Sequence, residues 1–299
     1  MTPGIYLVHK PVGQTSFSLV HAFMEEIRAA GIRRDQLPVC HGGALDPFAE
    51  GLLLLLAGQA TRLMDLLHPI PKRYLAEIAW GVETDNGDLL GQMTKSADAA
   101  RLTPALLDSA LETFIGWREQ VPPLHSNKRS GGERAYRKAH RGETVELPPS
   151  RVYLHEARFL EHDLPRRSSL QLTCGGGYYV RALARDLGRA TGALGHLTKL
   201  RRTAIGPWEG PPPGQRVALR GAELFPWCAS REVSAKELLR LRSKEPIDCG
   251  ATGPPQWKLP EGFPDPRAPI RALQDGRLVA MLQERDGKLQ PAPLLEPPL

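Results

Sequence analysis

The chain has 299 residues, of which 41% are hydrophobic and 24% are charged, values that are ordinary for a soluble globular protein. No stretch approaches the roughly 18–20 apolar residues that cross a bilayer, and the amino terminus MTPGIYLVHK lacks the basic lead and apolar run of a signal peptide, so we expect a cytoplasmic protein with no membrane partner. The four cysteines, at positions 40, 174, 228 and 249, form no C-x-x-C unit, which argues against a zinc site or a redox motif.

The net charge of +6 is unevenly distributed along the chain. Residues 128–141 (KRSGGERAYRKAHR) and residues 181–202 (RALARDLGRATGALGHLTKLRR) each contain six Lys or Arg and a single acidic residue. A concentrated positive surface suits a polyanion, and nucleic acid is one candidate. Two solvated basic surfaces without a ligand would have the same composition, and charge alone does not decide between these alternatives.

In chain order, the first predicted elements are a turn at Lys10-Pro11 and a helix that is capped by Thr15 or Ser16 and ends at Gly31. The apolar spacing places Phe17, Val20, Met24 and Ile27 on the inner face of that helix. In the segment HGGALDPFAEG (41–51), Asp46-Pro47 is typical of a helix start with Asp46 as N-cap, and the two glycines indicate a close backbone approach or a positive φ. Leu52–Leu56 predicts a strand buried on both faces.

The middle of the chain alternates between strand and helix signals. KRYLAEIAWG (72–81) predicts a strand with Tyr74, Ala76, Ile78 and Trp80 on one face, and the polar VETDNGDLLGQ (82–92) predicts a loop. Thr103-Pro104 begins a predicted helix that runs to about Phe114. Residues 118–150 carry more Lys and Arg than acidic residues and contain Pro-Pro pairs near both ends, which indicates an arm inserted into the core.

The last predicted elements lie in the carboxy-terminal half. SLQLTC (169–174) predicts a strand with Leu170, Leu172 and Cys174 on one face, and the glycines at 175–177 lead into a helix over 178–191 whose Val180, Leu183 and Leu187 face inward. GPPPG (210–214) indicates a nearby domain boundary. Two apolar runs separated by Asp-Gly turns in residues 270–295 predict a small β-hairpin domain.

Five collinear segments together resemble the TruB-type tRNA pseudouridine synthases. They are GIYLVHKPVGQTS (4–16), HGGALDPFAEGLLLLLAGQAT (41–61), KRYLAEIAWGVETDNGDLLGQ (72–92), VPPLHSNKRSGGERAYRKAHRGE (121–143), and CGGGYYVRALARDLG with LRRTAIG (174–206). Each segment alone is a weak signal, whereas five in the same order are specific. The resemblance covers roughly residues 4–207, about two thirds of the chain.

The resemblance implies an α+β fold. Residues 1–225 would form the pseudouridine synthase catalytic domain, built on a mixed, mainly antiparallel β-sheet flanked by helices, with residues 118–150 as its RNA-binding arm. Residues 226–299 faintly resemble a small β-rich PUA-type domain, which would contact RNA. The alternative for this part is a β extension that only adds stability.

The resemblance also implies an isomerase that needs neither a metal nor a cofactor and that acts on uridine-55 in the T-loop of tRNA. Such enzymes break the N-glycosidic bond of a uridine, turn the base and rejoin it to the ribose through carbon 5. The implied catalytic carboxylate is Asp46, which would act either by covalent attack or by removing a ribose proton. Arg181 would be its counterion. Tyr74 would pack on the target base and help to move the carbon-5 proton, although on the strand pattern alone a tyrosine is more often part of a core.

Binding would require the base to leave its stack, at a cost of a few kcal/mol. The resemblance implies that His41 fills the vacated space and that Tyr179 and Leu200 line the base pocket. A lone histidine or strand tyrosine is otherwise more often structural. The expected contacts to the RNA backbone come from Lys10, Lys128, Arg129, Arg134, Arg137, Arg141 and Arg202.

The chain departs from the usual family residues at Cys40, Gly42, Glu50, His125 and Asn127, and none of these changes removes a catalytic group. Two other functions are open: an RNA-binding or RNA-folding protein with little catalysis, and a related synthase that acts on another RNA, alone or within a guide complex. The tRNA T-arm is the expected partner. No obligate protein partner is evident, and a monomer is the default expectation.

Overall fold

The computed structural model describes residues 2–33, 35–126, 128–130, 133–134, 141, 143 and 147–299, except for the side chains of residues 129, 130 and 134. The strands are β1 (Gly4–Lys10), β2 (Val39–His41), β3 (Glu50–Ala57), β4 (Lys72–Trp80), β5 (Val82–Thr84), β6 (Met93–Ser96), β7 (Gly116–Gln120), β8 (Arg129–Ser130), β9 (Glu133–Arg134), β10 (Ser150–Asp163), β11 (Arg167–Cys174), β12 (Gly195–Ile205), β13 (Trp208–Glu209), β14 (Arg216–Leu219), β15 (Ser230–Glu232), β16 (Ile247–Asp248), β17 (Ile270–Gln274), β18 (Arg277–Arg285) and β19 (Lys288–Leu294). The α-helices are α1 (Ser16–Ala29), α2 (Pro104–Glu112), α3 (Val180–Ala190) and α4 (Ala235–Arg242), and the 3-10 helices are Gly58–Leu67 and Gly221–Glu223. None of the described helices is both long and apolar enough to cross a membrane.

The chain forms two compact units, of which unit 1 comprises residues 1–47, 51–70 and 205–299 and unit 2 comprises residues 48–50 and 71–204. In unit 1, β1 pairs antiparallel with both β14 and β3, and β2 pairs with β3. Leu53 and Leu55 pack in a cluster with α1, whereas Leu52, Leu54 and Leu56 pack in a second cluster. The leucine run is therefore buried on both faces, as predicted.

The carboxy-terminal residues of unit 1 form a sheet in the order β15-β17-β18-β19-β16. The Asp275-Gly276 and Asp286-Gly287 pairs have positive φ at both residues, as a two-residue type I′ hairpin loop requires, so the two predicted hairpins are confirmed. Residues of this part share a hydrophobic cluster with β1 and β3, namely Trp227, Cys228, Leu273, Leu278, Met281, Leu295 and Leu299. Residues on both sides of position 225 thus contribute to one core, and the PUA-like domain over 226–299 stays a prediction.

Unit 2 contains the neighbouring strands β12-β4-β11-β10-β7, in which β11 pairs antiparallel with both β4 and β10. Helix α2 contacts β10 and α3 contacts β4. The alternating pattern of β4 is confirmed, because Tyr74, Ala76, Ile78 and Trp80 are all buried. An α+β fold with a mainly antiparallel sheet and a β-rich carboxy-terminal part is therefore observed.

Three local predictions are wrong or incomplete. Helix α1 begins as predicted, with Thr15 accepting a bond from the Ser18 amide, but Phe23 rather than Phe17 lies on its buried face, and Phe17 is 66% exposed. Phe23 packs 4.9 Å from the Tyr6 ring, which fixes the rotation of the helix. Segment 82–92 is not entirely a loop, because its first three residues form β5, which pairs with β6. The ends of segment 118–150 are strands of the sheet rather than arm, because β7 extends to Gln120 and β10 begins at Ser150.

The predicted helix start at Asp46-Pro47 is also wrong. The chain makes a turn at Pro47 and Phe48 and enters β3 at Glu50. The carbonyl of Pro47 accepts hydrogen bonds from the Lys10 ammonium and the Gly13 amide. These bonds hold Pro47 against the segment Lys10–Gly13. Only residues 48 and 49 separate Pro47 from β3, which is too few for a helical turn.

Candidate active site

In unit 1, Asp46 lies between two residues that are both bound to the amino-terminal segment Lys10–Ser16. The buried Ser16 hydroxyl accepts a bond from the Leu45 amide at 2.8 Å and donates to the Leu45 carbonyl at 3.1 Å. On the other side, the Pro47 carbonyl accepts from Gly13 N at 2.8 Å and from Lys10 Nζ at 3.4 Å. The backbone that carries the half-buried Asp46 is therefore fixed on both sides.

The two glycines before Asp46 show the close approach and the positive φ that the sequence predicted. A Cβ at Gly42 would lie 2.6 Å from the Leu67 side chain, and Gly43 has a φ of +117°, a region that favours glycine. His41 ends β2, is half-buried, and pairs with Leu55. The glycines thus allow a sharp turn between His41 and Asp46.

Lys10 is fully buried, and its ammonium also donates to the Pro11 carbonyl at 2.9 Å. These contacts place it within the turn that supports the Asp46 loop. Its predicted contact with RNA stays a prediction.

In unit 2, Arg181 lies in the first turn of α3 and is only 3% exposed. Its Nη1 donates to the Asn86 carbonyl at 2.8 Å, and its Nη2 donates to the His125 carbonyl at 2.9 Å. Nη1 also lies 3.8 Å from the buried Asp88 carboxylate. The guanidinium therefore has a defined orientation. Asp46 and Arg181 belong to different units, and the ion pair between them stays a prediction.

The other candidate residues of unit 2 lie on neighbouring strands. Tyr74 on β4 and both Leu200 and Arg202 on β12 are buried. Tyr179, the N-cap of α3, is half-buried. The structure thus brings Tyr74 and β12 together within one sheet, while the roles of these side chains toward a base stay predictions.

A buried lysine lies next to these residues. Burial lowers the pKa of Lys72 from 10.5 to about 7. The charge of Arg202 also lowers this pKa, whereas Cys174 raises it. Cys174 lies opposite Lys72 in the β4–β11 register, and burial raises the pKa of its thiol to about 12. Near neutral pH the pair therefore contains a thiol beside a lysine that readily loses its proton.

The basic arm is described only in part. Arg129 and Arg134 pair in the short β8–β9 hairpin, Lys128 is half-buried, and Arg137 lies outside the described residues. Arg141 donates two bonds to Glu133, at 2.8 and 2.9 Å, and one to Glu143 at 2.6 Å. Both glutamates raise the pKa of the Arg141 guanidinium above its usual value. Across the described residues, no three His, Cys, Asp or Glu side chains are grouped as a metal site would require.

The chain is similar to known proteins. The family model described as "TruB family pseudouridylate synthase (N terminal domain)" matches residues 33–180. The tRNA pseudouridine synthase B of Thermobifida fusca (strain YX) is 34% identical over 301 residues, which cover 97% of this chain and 98% of the relative. This chain belongs to the TruB family of pseudouridylate synthases.

Another TruB relative, the tRNA pseudouridine synthase B of Xanthomonas campestris pv. campestris (strain B100), is 40% identical over 208 residues. That match covers 70% of this chain but only 65% of the relative, so the chain spans less than two thirds of that protein's length. A solved structure described as a Cbf5-Nop10-Gar1 complex matches 97% of this chain and 84% of the matched chain, with a TM-score of 0.66 and 18% identity. This likeness shows the same fold.

The sequence of this TruB-family chain indicated Arg181 but not the groups that hold it. Asp88 and the Asn86 carbonyl belong to the Thr-Asp-Asn-Gly-Asp turn, which was part of the resemblance. Asp88 is buried although the leucines that follow it, Leu89 and Leu90, are both exposed, so no apolar pattern beside it indicates a buried carboxylate. The His125 carbonyl carries no signal either, because any residue supplies a backbone carbonyl.

Proposed function

We propose that this chain converts uridine-55 in the T-loop of tRNA to pseudouridine, with Asp46 as the catalytic carboxylate. Family membership supports the reaction class, and the relatives named tRNA pseudouridine synthase B support tRNA as substrate. The observation that carries the assignment of Asp46 is its position between Leu45 and Pro47, which are both fixed by Lys10–Ser16. A catalytic group must be held in a productive geometry, and this loop provides that support.

The reaction is an isomerisation in which no atom is lost. The N1–C1′ bond of the uridine breaks, the base turns, and a C5–C1′ bond forms; C5 then loses its proton and N1 gains one. Asp46 must be ionised both for covalent attack and for removal of a ribose proton. Arg181 is the proposed counterion of that carboxylate.

The remaining residues would bind and hold the flipped nucleotide. In this proposal Tyr74 packs on the base, Leu200 and Tyr179 line its pocket, and His41 occupies the space that the base vacates. The basic residues of the arm would contact phosphates, whereas the buried Lys10 and Arg202 would reach an RNA only after the segments around them move. These contacts would supply the salt-dependent part of the affinity.

The test compares wild type with Asp46→Asn, which keeps the side-chain shape but removes the charge. Pseudouridine is measured in a T-arm stem-loop transcript by carbodiimide modification and primer extension, and RNA affinity is measured by filter binding. We expect Asp46→Asn to form no detectable pseudouridine and to bind RNA within about threefold of wild type, because the charge acts in the reaction rather than in binding.

Glu50→Gln is the matched control, because it neutralises the next carboxylate along the chain, and we expect it to keep its activity. Failure of wild type to modify the T-arm would reject the proposed substrate. Equal losses in Glu50→Gln and Asp46→Asn would reject Asp46 as the particular carboxylate. An RNA-binding protein without catalysis would show tight binding and no product in every variant.

A further inference from the structure

Helix α3, which carries Arg181, begins without a side-chain cap of its own. Its N-cap residue is Tyr179, which makes no side-chain capping bond. In a capping box the third helical residue is Glu or Gln and reaches back to the N-cap amide, but here that residue is Ala182. The amide of Tyr179 therefore needs a partner from elsewhere in the fold.

Gln120 supplies that partner from the end of β7. Its side-chain oxygen accepts a bond from Tyr179 N at 2.9 Å, and its side-chain nitrogen donates to the Tyr179 carbonyl at 3.1 Å. The Gln120 side chain is 6% exposed, so water competes little for these bonds. One amide thus satisfies both backbone groups of a single residue, which restricts the φ and ψ of Tyr179.

Those two dihedrals set the start of the helix. The Tyr179 carbonyl also accepts the first helical bond, from Leu183 N at 3.1 Å, and Arg181 follows in the same turn. The guanidinium of Arg181 reaches the Asn86 and His125 carbonyls at 2.8 and 2.9 Å. Bonds this short tolerate little displacement, so a shift of the helix start would disturb Arg181 and Tyr179 together.

We propose that Gln120 is a positioning residue: it caps α3 from β7 and thereby holds Arg181 and Tyr179 in the geometry that turnover requires. This role rests on the proposed function, because it assigns the effect of Gln120 to the reaction rather than to RNA binding. Among the described residues, the Gln120 side chain bonds only to the backbone of Tyr179, while the Gln120 backbone pairs with Ser150 of β10.

The test measures single-turnover rates at saturating T-arm RNA, together with RNA affinity, for three variants. Gln120→Met keeps the length of the side chain and removes both bonds, and we expect its rate to fall about tenfold to hundredfold with affinity within about threefold of wild type. Gln120→Glu keeps an acceptor for Tyr179 N and loses the donor, so we expect an intermediate rate. Arg185→Met is the control, since Arg185 bonds the neighbouring Val121 carbonyl at 3.0 Å without touching Tyr179. We expect its rate to stay within about threefold of wild type.

Each outcome separates this role from its alternatives. Equal rates in wild type and Gln120→Met would overturn it, and so would equal losses in Gln120→Met and Arg185→Met, which would indicate general anchoring of the segment. A loss of RNA affinity in parallel with the rate would also overturn it. An inactive wild type in the same assay would instead reject the proposed function, so the two failures are distinguishable.

Discussion

Main-chain groups of other residues contribute to the positions of both Asp46 and Arg181. Bonds to Leu45 and Pro47 fix the backbone at Asp46, and two carbonyls together with Asp88 orient Arg181. Substitutions at Ser16, Asp88 and Gln120, which have no proposed contact with the RNA, should therefore affect function. Gln120 is the sharpest case, because its side chain bonds only the backbone of Tyr179, the N-cap of α3, among the described residues.

Because Lys72 is buried, we expect its contribution to the stability of the folded chain to increase with pH above neutrality. Its pKa is about 7 in the folded chain and 10.5 ordinarily, so between these values the unfolded lysine holds a proton that the folded lysine lacks. Raising the pH through this window therefore favours the folded state, by up to about 1.4 kcal/mol per pH unit. Relative to Lys72→Met, we expect the free energy of unfolding of wild type to rise from pH 7 to pH 10, as measured by urea denaturation.

Lys95→Met, which removes an exposed lysine, is the control for this comparison. Parallel curves for wild type and Lys72→Met over the same pH range would show that Lys72 is protonated in the folded chain, contrary to the expectation.

At the scale of elements, the sequence predicted best the features that depend on residues close together in the chain, such as strand alternation and helix caps. The alternation in β4 identified its buried face, and Thr15 and Thr103 correctly marked the starts of α1 and α2. Asp46-Pro47 misled because the bonds of Pro47 to Lys10 and Gly13 are long-range and leave no local signal. The roles of Gln120 and the His125 carbonyl were hidden for the same reason.

The basic arm should act mainly in binding. We expect replacement of Lys128, Arg129, Arg134 and Arg137 by Ala to weaken RNA affinity and to flatten its salt dependence, because each lost phosphate contact removes about 0.7–0.9 from the slope of log K against log salt. Titrations with T-arm RNA at several salt concentrations measure this effect. Turnover at saturating RNA should change little.

The control loses the same number of positive charges outside the arm. In it, Ala replaces four exposed residues, namely Arg28, Arg33, Lys95 and Arg101. Similar salt slopes in the two quadruple variants would mean that net charge rather than the arm determines affinity. A large turnover loss in the arm variant at saturating RNA would assign the arm a part in catalysis.

At the scale of the molecule, the carboxy-terminal sheet belongs to the same core as the amino-terminal strands of unit 1. Met281 is fully buried in the cluster that contains Ile5, Leu52 and Leu54. We expect Met281→Ala to cost about 2–5 kcal/mol and to shift one cooperative unfolding transition that β1 and β3 share. Hydrogen exchange measures whether the amides of β1, β3 and β18 lose their protection in the same unfolding transition.

An exposed apolar residue of the same part, Leu239, provides the control, and Leu239→Ala should change the free energy of unfolding by less than about 0.5 kcal/mol. If Met281→Ala destabilised β18 alone and left β1 and β3 protected, the part after residue 225 would be an independent domain. The sequence favoured such a domain because prolines at 210–214 interrupt the pattern, but a proline-rich connection does not reveal which apolar residues pack together.

If Asp46 is the catalytic carboxylate, the fixed backbone of its neighbours has a consequence for the free energy of RNA binding. Ordering the backbone of one residue costs about 1–2 kcal/mol in conformational entropy. Because Leu45 and Pro47 are already immobilised by Ser16, Gly13 and Lys10, that loss occurs once, when the chain folds. Under the proposed function, the arrival of an RNA would require no further ordering of Leu45 and Pro47, and binding free energy would remain available to draw the uridine out of its stack.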